Sequence, residues 1–169
     1  MATTYELIAS NTLSSSAASV TFSAIPNTFT DLVLKTSVRS TRSDRVTRNF
    51  YLQFNGDTSS NYSWTFVSNG GSSRGSSSTF SDIGYIPAGL TTANTFGSGD
   101  LYIPNYTVSQ NKPFSSVDTS ENNSSSDWYI RATANLWRNT AAITSILIYP
   151  ESDSMASGSS FFLYGIKNS

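Results

Sequence analysis

The chain of 169 residues contains no cysteine and no histidine. Without these residues it can form neither a disulfide nor a Cys/His metal site, and it lacks the usual acid–base group near neutral pH. Charged residues make up 12% of the chain, about half the share usual in soluble domains. The net charge of -1 gives no overall attraction to nucleic acid or to an anionic membrane. These absences favour a protein that works by contact.

Long apolar runs are also missing, because no stretch approaches the roughly 20 residues that a membrane-spanning helix needs. The first five residues carry no basic stretch followed by an apolar run, so we expect no signal peptide. The length fits one domain, and no linker divides the chain. We therefore predict a single domain over residues 1–169, with residues 1–19 as a partly extended N-terminal arm.

Apolar and polar side chains alternate with a period of two, which indicates β-strands. The clearest example places Phe50, Leu52 and Phe54 on one face of a segment. We predict about eleven strands, which lie at residues 5–9, 18–22, 32–39, 49–54, 62–67, 79–86, 95–103, 113–118, 128–137, 143–149 and 160–166. Regular short strands predict an all-β fold, an antiparallel two-sheet β-sandwich that is jelly-roll-like and has about 8–11 strands.

The apolar sides of these alternations predict the core. Its expected members are Phe50, Leu52, Phe54, Trp128, Ile130, Leu136 and Leu147. Between the strands, Asn55-Gly56-Asp57 indicates a tight turn. The serine-rich segments 68–78 and 120–126 are predicted to be low-complexity loops.

Four of the ten basic residues fall at every third position between two predicted strands: Arg39, Arg42, Arg45 and Arg48. A guanidinium binds carboxylates and phosphates through paired hydrogen bonds. The segment could be a solvated loop, a docking site for an acidic protein surface or a nucleic-acid contact. We predict protein docking and no nucleic-acid partner, because the chain has neither a GxxxxGK loop nor an RNP-like motif.

Outward aromatic side chains provide a second candidate surface. If Trp128 faces inward, then Tyr129 and Trp137 face outward on the same strand. Exposed aromatics mark protein interfaces or sugar-stacking platforms. The alternative is that the second sheet covers them.

Catalytic and metal chemistry have few candidates. Paired carboxylates can cleave glycosidic bonds, and Asp82 and Asp100 lie within predicted strands. Solvated carboxylates are the favoured interpretation, so we expect no enzyme and no cofactor. Calcium needs only oxygen ligands, which residues 55–57 or 118–123 could supply, although hydrogen-bonded turns are favoured there too.

Several stretches, in order along the chain, resemble small virion structural proteins of tailed bacteriophages. The matching pieces are FSAIPNTFTDLVLKTSVRS at residues 22–40, LQFNGDTSSNYSW at 52–64, TANTFGSGDLYIPNY at 92–106, NTAAITSILI at 139–148 and FFLYGIK at 161–167. The resemblance implies an all-β, jelly-roll-like fold and a place on the particle surface. It supplies no catalytic residues.

Two functions therefore stand as expectations. The first is a capsid decoration or cement protein that is made in the host cytoplasm. It would bind the outer surface of the head between major-capsid subunits, as a homotrimer. The second is a tail or fibre module that binds a carbohydrate receptor through outward aromatics.

Overall fold

The structure, a computed structural model, describes residues 4–122 and 128–167. These residues form twelve strands and no helix, which confirms the all-β prediction. Nor do they include a helix that could cross a membrane. The strands are β1 (Tyr5–Thr12), β2 (Val20–Phe22), β3 (Asp31–Val38), β4 (Thr47–Phe54), β5 (Tyr62–Ser68), β6 (Gly71–Ser78), β7 (Ser81–Pro87), β8 (Gly97–Ile103), β9 (Lys112–Ser120), β10 (Tyr129–Trp137), β11 (Ile146–Pro150) and β12 (Ser160–Ile166).

The strands pair antiparallel in two sheets that pack as a sandwich. An eight-stranded sheet has the order β1-β12-β3-β8-β9-β10-β5-β6, and a four-stranded sheet has the order β2-β11-β4-β7. The chain crosses repeatedly between the two sheets, which confirms the predicted antiparallel β-sandwich. β1, which lies within the predicted N-terminal arm, is an edge strand paired with β12.

The core lies between the two sheets, and β4 is central to it. Phe50, Leu52 and Phe54 are buried as predicted. Phe54 meets the opposite sheet through Phe114 and Trp137, with ring centroids 5.1 and 5.3 Å away. The alternation in β4 therefore assigned its inward face correctly.

In β10 the predicted inward and outward faces are reversed. Trp128 and Ile130 are 43% and 50% exposed, and Leu136 lies on their side of the strand and is only partly buried. The buried side instead carries a mainly polar set: Arg131, Thr133, Asn135 and Trp137. The prediction was wrong because polar side chains can face the interior of a sandwich when the interior supplies their hydrogen-bond partners.

Leu147 is a smaller correction. It is only partly buried, whereas its neighbours Ile146 and Ile148 have no exposed surface. The inward face of β11 is therefore the one that carries the two isoleucines, and the alternation was read one residue out of phase.

The serine-rich segment 68–78 is not a loop. β6 pairs with β5 from Gly71↔Ser68 to Ser78↔Tyr62. Most of its side chains are exposed, because an edge strand is held by main-chain hydrogen bonds and need not bury side chains. Composition therefore gave no signal for it. The other predicted loop, 120–126, lies largely outside the described residues, and Ser120 ends β9.

Leu52→Ala should lower the free energy of unfolding by about 2–5 kcal/mol, because Leu52 has no exposed surface and its truncation leaves a cavity. Urea unfolding followed by tryptophan fluorescence measures this. Leu90→Ala is the matched control: Leu90 is 63% exposed, and its truncation should change stability by less than about 0.5 kcal/mol. Equal losses in the two variants would contradict the assigned core.

Candidate functional site

The arginine loop, residues 39–48, comprises the connection from β3 to β4 and the first two residues of β4, and it is held mainly by contacts within the protein. Arg39 is used structurally. Its guanidinium donates hydrogen bonds to Thr91 Oγ1 at 2.8 Å, to the Ala88 carbonyl at 2.8 Å and to the Thr95 carbonyl at 2.9 Å. These hydrogen bonds hold the loop after β7, so the guanidinium of Arg39 is already occupied within the protein.

Arg48 and Arg42 both contact the loop that follows β11. Arg48 is 14% exposed and forms an ion pair with Glu151 at 3.0 Å. Arg42 contacts Asp44 and lies 3.5 Å from Asp153. The hydrogen bond from Arg42 lowers the pKa of Asp44. Arg42 and Arg48, which were predicted to dock on a partner protein, are thus already paired with acidic residues of this chain.

Arg45 is the most available member of the arginine loop. Its side chain is 57% exposed, and its ion-pair partner Asp44 is 3.9 Å away and itself 56% exposed. Exposed pairs at this distance contribute little and are readily exchanged. If the loop docks on an acidic surface, Arg45 is the residue best placed to do so, followed by Arg42.

The structure does not place Tyr129 and Trp137 as predicted. Trp137 has no exposed surface and donates its indole N–H to Asp57 at 2.8 Å. Tyr129 is half-buried, edge-on to Tyr85 with ring centroids 5.7 Å apart. Trp137 contacts the turn after β4, whereas the arginine loop precedes β4, so these predicted site residues do not converge.

The turn at residues 55–57 is built by hydrogen bonds. The carboxylate of Asp57 accepts from the main-chain N–H of Ser59, the amide of Asn61 and the indole of Trp137. Burial would raise the pKa of Asp57, but these hydrogen bonds outweigh it and hold the pKa well below its usual range. Within residues 4–122 and 128–167, no three carboxylates are grouped to hold a metal ion.

A buried polar cluster, which we call the inter-sheet cluster, comprises Asp82, Asp118 and Arg131. Arg131 has no exposed surface and lies on β10, 2.9 Å from the carboxylate of Asp82 on the facing sheet. Its guanidinium also stacks 3.8 Å from the ring centre of Phe66. The cluster therefore joins the two sheets by an ion pair in the interior.

Asp118 on β9 completes the inter-sheet cluster. One carboxylate oxygen accepts the main-chain N–H of Tyr85 at 2.8 Å. The other has no hydrogen-bond donor among the described residues. Gly84 permits the approach of β7, because a Cβ there would lie 2.6 Å from that oxygen. A cavity of about 20 Å³, the size of one water molecule, borders Asp118.

Burial raises the pKa of both carboxyl groups in the inter-sheet cluster. It brings the pKa of Asp118 to about 7, although the Tyr85 N–H and Arg131 act in the opposite direction. It brings the pKa of Asp82 to about 6, again against the effect of Arg131. Perturbed carboxyl groups often mark active sites, but these two are buried between the sheets, where Arg131 lies against Asp82.

Sequence reasoning considered Asp82 as a carboxylate and missed the roles of Asp118 and Arg131. The alternation gave no signal for them, because a tryptophan stands on each side. Trp137 shares the inward side with Arg131, whereas Trp128 shares the outward side with Ile130.

The outer face, the side of the eight-stranded sheet that points away from the four-stranded sheet, is the main exposed apolar surface. Its exposed members are Tyr5 (55%), Leu7 (51%), Val67 (62%), Tyr102 (41%), Val117 (47%) and Ile130 (50%). Trp128, at 43% exposure, directly precedes β10 on the same alternation. Such a patch on a soluble protein indicates an interaction surface.

Strand register arranges the outer face in rows of directly paired residues. One row runs Leu7–Tyr164–Val33–Tyr102–Ser115–Ala134–Thr65, and the next runs Ser10–Phe162–Lys35–Asp100–Val117–Ala132–Val67.

Comparison with known proteins adds no relative: no family model, curated protein or solved structure matches this chain. The assignment of function therefore depends on the residues and their geometry.

The inter-sheet cluster should make the protein more stable at pH 5 than at pH 8. A raised carboxyl pKa means that the folded state keeps protons that the unfolded chain releases above about pH 4. This contribution to stability is complete below about pH 4 and is lost as the pH rises through about 6 to 7. Urea unfolding between pH 5 and pH 8 should show a decline on the order of a few kcal/mol.

Asp118→Asn should make this decline smaller and leave the part due to Asp82. The amide oxygen can still accept the Tyr85 N–H, but the group no longer titrates. Glu6→Gln, which removes an exposed carboxylate paired with Lys167, is the control and should keep the wild-type profile. Stability that is constant or rises from pH 5 to pH 8 in the wild type would contradict the inferred protonation.

Proposed function

We propose that this protein is a non-enzymatic structural protein of a tailed-bacteriophage virion, a decoration or cement protein of the head. It binds the outer surface of the shell between major-capsid subunits and stabilises their contacts, and it acts as a homo-oligomer. The sequence resemblance supports the virion setting. The apolar outer face carries the argument that the protein works by assembly.

The distribution of apolar surface supports assembly over catalysis. Exposed large apolar side chains gather on one sheet face instead of being scattered, which is typical of surfaces that meet other proteins. In contrast, the carboxyl groups with raised pKa values are buried against Arg131. Through the ion pair with Arg131, this cluster connects the two sheets.

The arginine loop supports a second, polar contact with the coat. Arg45 projects with more than half of its side chain exposed, and Arg42 is about one third exposed. The weak surface pair of Arg45 with Asp44 can be exchanged for a carboxylate of a coat subunit at small cost, whereas Arg42 would exchange a two-bond contact with the same carboxylate. We propose that these two arginines, rather than Arg39 or Arg48, contact the major capsid protein.

One observation favours the alternative of a tail or fibre receptor-binding module. Tyr5, Tyr102 and Trp128 are 41–55% exposed, and exposed aromatic rings can stack on sugars. Copy number distinguishes the two functions, because a head protein occupies many equivalent shell sites whereas a tail module is present in few copies.

Particles stripped of this protein should lose resistance to heat or osmotic shock and still adsorb to host cells, because bound decoration protein stabilises the shell by mass action. The measurement compares stripped, intact and reconstituted particles in a thermal DNA-release assay and in an adsorption assay. Stripped particles that keep full stability but fail to adsorb would replace the head assignment with the receptor-binding one.

Charge reversal of Arg42 and Arg45 to Glu should weaken binding to stripped particles and reduce its dependence on salt, since rim charges act through screened electrostatics. The control is Arg138→Glu, an exposed arginine after β10 that contacts the Ser60 carbonyl. Quantitative binding at low and high salt measures the effect. Unchanged occupancy of the double variant, or equal loss in the control, would count against docking by the arginine loop.

A further inference from the structure

We propose that a second copy of this chain covers the outer face, in a two-fold, face-to-face pair. The proposal goes beyond the function proposed above and does not depend on the identity of the coat. It replaces the homotrimer expected from the sequence with a dimer, because the outer face is complementary to itself.

The outer face has a bulky half and a small half. The strands β1 and β12 present Leu7, Phe162 and Tyr164. Across the sheet, β9 and β10 present small side chains, among them Ser115 and Ala134. Consistent with this division, an open depression of about 510 Å³ lies over the small half, between β5, β9 and β10.

A two-fold axis that runs parallel to the strands, between β3 and β8, lays one half on the other. It places β12 over β9 and β1 over β10 of the second copy, and each row meets the same row reversed. In the first row Leu7 then faces Ala134, and Tyr164 faces Ser115. In the second row Phe162 faces Val117 and Ser10 faces Ala132. The first row therefore sets large side chains against small ones across the roughly 10 Å between packed sheets.

The charges of the outer face obey the same symmetry. Lys35 on β3 and Asp100 on β8 form a surface ion pair at 2.7 Å, and the axis passes between them. Lys35 of one copy therefore faces Asp100 of the other, and the four charges alternate. The described outer face has two other ionisable groups at neutral pH. Asp31 is buried and accepts a hydrogen bond from Tyr102, and Arg74 lies on β6 outside the overlap.

The size of the overlap is sufficient for a specific pair. Six strands about 4.8 Å apart and about six residues long, at roughly 3.3 Å per residue, cover about 29 Å by 20 Å. Two copies would bury on the order of 1,200 Å², at the lower end of the range for stable protein interfaces. With a net charge of -1, the copies also repel each other little at long range.

Sedimentation of the purified protein tests the pair directly. The wild type should form dimers at about 100 µM, a concentration suited to an interface of this size. Ala134→Glu should make the protein monomeric, because it puts bulk and charge where Leu7 of the second copy fits. Leu90→Glu is the matched control, since Leu90 is 63% exposed in a loop, and it should leave the dimer intact.

A charge-exchange experiment separates contact between copies from the ion pair within one copy. Lys35→Asp and Asp100→Lys should each weaken the dimer by at least about tenfold, because like charges then meet across the axis. When the two variants are mixed, the introduced carboxylate of one faces the introduced ammonium of the other, and the remaining native Lys35 faces the remaining native Asp100. A heterodimer should therefore form. An ion pair that acts only within the chain would give no such recovery.

Two results would overturn the proposal. The first is a monomeric wild type at all concentrations. If Ala134→Glu then loses particle binding and Leu90→Glu does not, the coat protein covers the outer face and the proposed function stands. The second is a dimer that none of the outer-face variants affects. If the dimer forms as described but the protein does not bind particles, the pair is correct and the virion function is wrong.

Discussion

Arg131 is an arginine without exposed surface in the interior of a β-sandwich, and a guanidinium there must have partners. It finds them in Asp82, in Thr133 at 3.1 Å and in the ring of Phe66. Since side chains alternate along a strand, this placement fixes both faces of β10. The apolar residues on the other side must then point outward. The interior ion pair therefore creates the exposed apolar surface on the opposite side of the sheet.

Stability alone does not account for the inter-sheet cluster, since well-packed apolar residues often stabilise a protein as much as a buried ion pair does. Its effect on register is more specific. If β10 slipped by one residue, Arg131 would move to the outer side and leave Asp82 and Asp118 buried without a cation. A one-residue shift of β10 would therefore raise the free energy of the fold more than the same shift would in a core of apolar residues alone. The cluster selects one pairing of β9, β10 and β7, and it keeps titratable groups inside as a consequence.

The sequence was sufficient for the class of fold and for β4, where apolar residues and inward residues coincide. It failed for β10, because the partners of Arg131 come from β7 and β9, about 49 and 13 residues earlier in the chain. It also failed for β6, whose serines are held by main-chain pairing alone. Residues 39–46 of the arginine loop lie between strands as predicted, whereas Arg48 is part of β4 and pairs with Ile86. The sequence could not show how many arginines of this loop are already paired, because Glu151 and Asp153 follow β11, about 100 residues later in the chain.

The outer face has no covering sheet, because the four-stranded sheet packs only on the inner side of the eight-stranded one. The eight-stranded sheet is also the wider of the two: eight strands about 4.8 Å apart span about 38 Å, whereas four span about half of that. At the β6 edge of the eight-stranded sheet most side chains are exposed serines, which water can solvate. In the middle of the sheet Arg131 and Asp118 occupy inner positions of β10 and β9, and the alternation places Val117, Ile130, Ala132 and Ala134 on the outer side. These apolar residues form an exposed surface, which is most stable when a partner covers it.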